Sequence, residues 1–127
     1  MMFAAGQRWT YRTPAGFEAS RLVIGAIVEF AGHEPVLCCL IEGAPRRRPD
    51  GSVDTVTIPF LPMTERAVRD SVVTHEGTSE TGAAFAASFA EWQQDPRGMS
   101  AFTVPFEGFL DRMIALQMAE IVGQPAA

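Results

Sequence analysis

Lysine and asparagine are absent from this chain, and tyrosine occurs once, at position 11. All ten basic residues are arginines, set against fifteen acids, for a formal net charge of -5. A polyphosphate backbone meets net repulsion from such a chain rather than counterion-releasing attraction, which disfavours nucleic acid as a partner. The Arg-for-Lys bias fits a GC-rich bacterial genome and carries no chemistry. The only cysteines, Cys38 and Cys39, are adjacent in VLCCLI. Neighbours on a strand point to opposite faces, so a disulfide between them would distort the backbone; reduced core thiols of a cytosolic protein are expected. No apolar run approaches the ~18 residues of a membrane span, and the start MMFAAGQR lacks the charged opening and apolar core of a leader. A cytoplasmic protein with no membrane contact is the expectation.

Motifs of the common chemistries are missing as well. His33 and His75 are each followed by Glu, but neither belongs to an HExxH helix or a CxxC pair, so no metal and no cofactor are expected and both read as solvated loop residues. No GxSxG elbow, GxxxxGK[ST] loop or GxGxxG turn occurs, which removes the usual support for hydrolase, nucleotide-binding and dinucleotide-binding activities.

What is present is enough for one core: 127 residues, 47% hydrophobic, without repeats or a linker, read as a single domain over 1–127. Residues 6–30 read as an opening β-hairpin. Trp9 and Tyr11 alternate with Arg8, Thr10 and Arg12, and Thr13-Pro14-Ala15-Gly16 supplies a turn. A second strand over 18–30 is apolar on both faces and so should be central. A turn at 31–35 leads to a third strand over 36–41, then a loop over 43–52 and a fourth strand in which Pro59 marks an edge or a bend. Beyond Pro62 the period becomes 3.6. Thr64 caps a short helix with Ala67, Val68, Ser71 and Val72 as its stripe. A polar loop over 74–82 follows, then a helix over 83–93 with Phe85, Phe89 and Trp92 on one face, a short strand over 101–105 and a last helix over 106–122. The fold class is α+β: a four- to five-stranded antiparallel sheet over about 6–62, open or closed into a barrel, packed by two or three helices within about 63–123.

The motifs Gly6-x-x-Trp9-x-Tyr11-x-Thr13 and Gly16-x-Glu18-x-Ser20-x-Leu22, with Pro62 before the capped helix, the Phe85, Phe89, Trp92 helix and Phe102-Thr103-Val104, together resemble a family of small bacterial proteins of unknown function. The resemblance spans most of the chain and implies a shared fold. The family pattern has Arg after the Thr and Asp before the Ser, where this chain has Pro14 and Ala19, so no catalytic role is carried over. An opening strand, a Gly-x-Glu turn and an apolar strand are also similar to the SH3-like toxins of toxin and antitoxin pairs, which implies an RNA-directed enzyme as the alternative function.

Candidate residues follow from chemistry and placement. Arg12, Glu18 and Ser20 face one another across the first turn as a polar network, with Trp9 and Tyr11 beside them as binding residues; the plain reading is a surface salt bridge and core aromatics. Arg46-Arg47-Arg48 is the one charge run, suited to an oxyanion or to a solvated loop. Glu107 and Asp111 lie one helical turn apart without a partner base. The last helix has an apolar stripe wider than one sheet face needs, which marks Phe109 and Leu116 as an interface. The expected function is therefore a non-enzymatic binding or protein-interaction domain, a homodimer or the acidic partner of a basic protein.

Overall fold

The computed structural model describes residues 2–95, 100–103 and 106. Its elements in chain order are β1 (Gln7–Tyr11), β2 (Arg21–Phe30), β3 (His33–Arg47), β4 (Val53–Thr64), α1 (Glu65–Ser71), β5 (Val72–Thr78) and α2 (Gly82–Gln93). All strand pairings are antiparallel, in the order β4-β3-β2-β1-β5. The fold is α+β, and the sheet is open, with β4 and β5 as its edges.

The central pair is the apolar one. Leu22 pairs with Ile41, Val23 with Leu40 and Ile24 with Cys39, and consecutive residues on both strands are sealed from solvent. Because successive side chains alternate between faces, such a pair needs cover on both sides. Tyr11, Leu22, Ile41, Cys39 and Leu61 share one face through their registers. Buried Phe106 packs at the Tyr11 end of that face, the two rings 5.4 Å apart. The opposite face carries Phe60, whose ring meets Phe85, Phe89 and Trp92 of α2 at 5.6 to 6.3 Å. The aromatic stripe read from the sequence is thus the docking face of α2.

Gly25 makes that docking possible. It lies at a register shift of β2, between Ile24 and Ala26, and a Cβ built there would stand 2.3 Å from Cζ of Phe85. Phe85 therefore rests on bare backbone. At the end of β4, Thr64 caps α1 as expected: its side chain accepts from the Ala67 N–H at 3.2 Å. Ala67, Val68 and Ser71 turn inward, and the Ser71 hydroxyl accepts from the Phe106 N–H at 2.7 Å.

Several sequence expectations change. β2 starts at Arg21, not at 18, because residues 12–20 form a wide connection held by local turns. The turn at 31–35 contracts to Ala31-Gly32, with Phe30 paired to His33. The loop at 43–52 contracts too: β3 runs on to Arg47, passing Gly43 at a φ of +62° beside a register shift. The polar loop at 74–82 is mostly strand β5, so the sheet extends past 62 into the part expected to be helical. It was hidden because an edge strand packs few side chains and needs no apolar alternation. Pro59 does sit on an edge strand. Phe102 adds a single parallel bridge to Met63 on that edge. The last helix, with Glu107, Phe109, Asp111 and Leu116, lies outside the described residues.

Both thiols are free and buried, and burial pushes the Cys38 thiol up to about 12 and Cys39 well above its ordinary value. Two measurements follow. Gly25→Ala should lower unfolding stability by about 1–3 kcal/mol in urea titrations, with part recovered when Phe85→Leu is added; an unchanged midpoint in Gly25→Ala would remove the close-packing account. For a thiol whose pKa is raised by folding, stability is intact below the unfolded value near 8.5 and declines as pH climbs from there toward 12. Stability should accordingly fall above about pH 9, and Ellman's reagent should titrate two thiols only after denaturation.

Candidate functional site

The first connection places one hydroxyl deep in the structure. Ser20, 3% exposed, lies 2.6 Å from the Tyr11 hydroxyl and donates to the Glu42 carbonyl at 2.8 Å. A serine has one proton, and the carbonyl takes it. Tyr11 must then donate to Ser20 Oγ, so a directed chain runs from β1 through the connection into β3. Burial raises the Tyr11 pKa, and the bond to Ser20 offsets part of that rise.

Beside this chain opens a cleft of about 460 Å³ lined by Arg8, Gly16, Phe17, Ala19, Ser20, Glu42, Gly43 and Thr55. Its size falls within the range of small-ligand sites. One wall is the 16–20 connection, and the other is β3 with Thr55 of β4. Arg8 Nε donates to Glu42 Oε1 at 3.0 Å, while Arg8 Nη1 lies 3.5 Å from Glu76 on β5. The Glu76 carboxylate is also held by Arg21, whose hydrogen bond, the larger cause, keeps it below the usual carboxylate range. Two guanidiniums, on β1 and β2, therefore lie between a carboxylate on β5 and one on β3.

The residues expected to form one network separate into several roles. Ser20 joins Tyr11. The Glu18 carboxylate turns back on its own loop, accepting from the Gly16 N–H at 3.0 Å, and that bond lowers its pKa. The Arg12 main chain donates to the Ser71 carbonyl at 3.2 Å. Trp9 is core, hydrogen-bonded through Nε1 to Gln7 and stacked 5.1 Å from the His75 ring. In the charge run, Arg46 forks onto Asp54 at 3.0 and 2.8 Å, and Arg48 shares the same carboxylate. Those two bonds hold the Asp54 carboxyl far below its ordinary range. Arg46 and Arg48 thus already face an anion of their own hairpin. Phe109 and Leu116 lie outside the described residues.

Arg8, Arg21, Glu42 and Glu76 were missed by reading the sequence. Arg8 was visible only as a polar position of an alternating strand, Arg21 fell in a strand read as apolar on both faces, and Glu76 could not be placed without recognising β5. Among the described residues no three His, Cys, Asp or Glu side chains gather to hold a metal. The Ser20 hydroxyl donates to a main-chain oxygen, and burial keeps both thiols protonated. Among the described residues no helix is long and apolar enough to cross a membrane. Comparison of the chain with family models, with curated proteins and with solved structures finds no match.

The directed chain makes an asymmetric prediction. Tyr11→Phe leaves the Ser20 bond to Glu42 intact and should cost about 0.5–1.5 kcal/mol, whereas Ser20→Ala strips partners from two groups at once and should cost more, about 1–3 kcal/mol. Urea titration of the two variants reads the order, and Tyr11→Phe as the more damaging change would reverse the proton assignment.

Proposed function

We propose that this chain is a non-enzymatic binding module of the bacterial cytoplasm that takes an extended segment of a partner protein in the cleft between the 16–20 connection and β3. The observation that carries the reading is the composition of the cleft walls: one guanidinium and one carboxylate in contact, Arg8 and Glu42, beside main chain at Gly16 and Gly43 and the Phe17 side chain. A wall with paired charges and little net charge suits an uncharged peptide main chain better than an anion. Phe17 supplies apolar area, and exposed Thr55 supplies a hydroxyl.

The family resemblance is part of the same proposal, and its motif residues have structural uses here. Gly6 and Gly16 have φ of +93° and +92°, Trp9, Tyr11 and Leu22 are core, and Glu18 and Ser20 tie the connection down. Self-association through Phe109 and Leu116 is its second surface. The alternative, an RNA-directed enzyme, has less support: the sheet is open, the net charge is -5, and Arg8, Arg21, Arg46 and Arg48 each face a carboxylate.

Selection of linear peptides from a random phage-displayed library tests the reading. Enriched peptides should bind with micromolar Kd and lose at least about tenfold in affinity to Thr55→Trp, which fills the cleft from its rim; no enrichment, or binding indifferent to Thr55→Trp, would overturn it. Sedimentation of the same preparation weighs self-association, and a monomer mass removes that surface.

A further inference from the structure

Arg21 does not line the cleft, yet its side chain holds the cleft wall. The side chain is 18% exposed, and its guanidinium directs its donors two ways. Nη1 donates to the main-chain oxygens of Glu18, at 2.5 Å, and Ser20, at 2.8 Å. Nε and Nη2 fork onto the two oxygens of Glu76, which reaches over β1 from the edge strand β5. The Ser20 hydroxyl ties the last residue of the wall to Tyr11 and to the Glu42 carbonyl, whereas the bonds of Phe17 N–H to the Pro14 carbonyl, Ser20 N–H to the Phe17 carbonyl and Glu18 onto Gly16 are short-range. Such turns shape a loop without fixing where it stands relative to the sheet.

We infer that Arg21 is a positioning residue of the candidate binding cleft, acting beside the Ser20 hydroxyl: it holds the 16–20 wall through the carbonyls of residues 18 and 20, and Glu76 ties Arg21, and with it that wall, to β5. This rests on reading the cleft as a binding site. A planar guanidinium is suited to the role because its donors diverge in one plane, two toward the carboxylate and one group toward the carbonyls. A lysine ammonium has the charge without that geometry. A wall fixed before the ligand arrives spares the ordering cost of binding, so the clamp sets affinity from outside the contact surface.

Hydrogen exchange on the free protein tests the inference, with Arg21→Lys, Glu76→Gln and the swapped pair Arg21→Glu with Glu76→Arg. Arg21→Lys should speed exchange of the amides at 16–20 by about tenfold or more, with β2 and β3 amides unchanged within about threefold; Glu76→Gln should act in the same direction and less. The swapped pair should restore protection of β5 but not of 16–20, because a carboxylate at position 21 cannot donate to carbonyls. Restored protection at 16–20 in the swapped pair would overturn the inference, as would unchanged exchange there in Arg21→Lys or a uniform rise across the sheet. The measurement needs no ligand, so failure of the peptide selection and failure of the clamp are seen separately.

Discussion

The rest of the fold depends on covering both faces of the β2–β3 pair. Leu22, Val23 and Ile24 on one strand and Leu37 to Ile41 on the other are at most 7% exposed, and the pleat sends them alternately to opposite sides. At about 25 cal/mol for each Å² of apolar surface, leaving either side open would forfeit a large part of the stabilisation of a domain this small. On one face Phe106 packs against Tyr11, and the other receives α2. Gly25 lets Phe85 approach the second face to contact distance. Packing at the register shift thus determines where α2 sits.

Cover by α2 does not extend to the far end of that face, where Arg8, Arg21, Glu42 and Glu76 take over. Their bonds link strands that share little apolar contact, including the mostly exposed edge strand β5. Exposed ion pairs contribute little to stability, and these serve position instead: they fix the relation between the edge, the central strands and the 16–20 connection. The two edges are treated differently. On β4, Pro59 and Pro62 remove ladder donors and Phe102 occupies one stretch, whereas β5 is tied inward by Glu76 and by Thr10, whose hydroxyl bonds the Thr74 main chain.

The candidate site shows how far local pattern reaches. Tyr11 and Ser20 were legible as residues worth attention because their types and the turn between them stood out. Their partnership was not, since the expected tight hairpin would have set Ser20 against Arg12, while the wide 12–20 connection returns it to Tyr11 at 2.6 Å. Arg46 and Arg48 stood out as charge, and only the continuation of β3 past Gly43 brought Asp54 under them.

By itself the sequence determined the features that depend on neighbours along the chain: the two-faced central strands, the Thr64 cap, the aromatic stripe of α2, an edge or a bend at Pro59 and the α+β class. These are set by periodicity, capping chemistry and a missing N–H, all readable within one turn or one strand. Tertiary structure alone decided the polar strand β5, the register shift at Gly25, the long β3 and the Arg21–Glu76 clamp. Each joins residues far apart in sequence, and a polar edge strand exists only because β1 offers it a ladder.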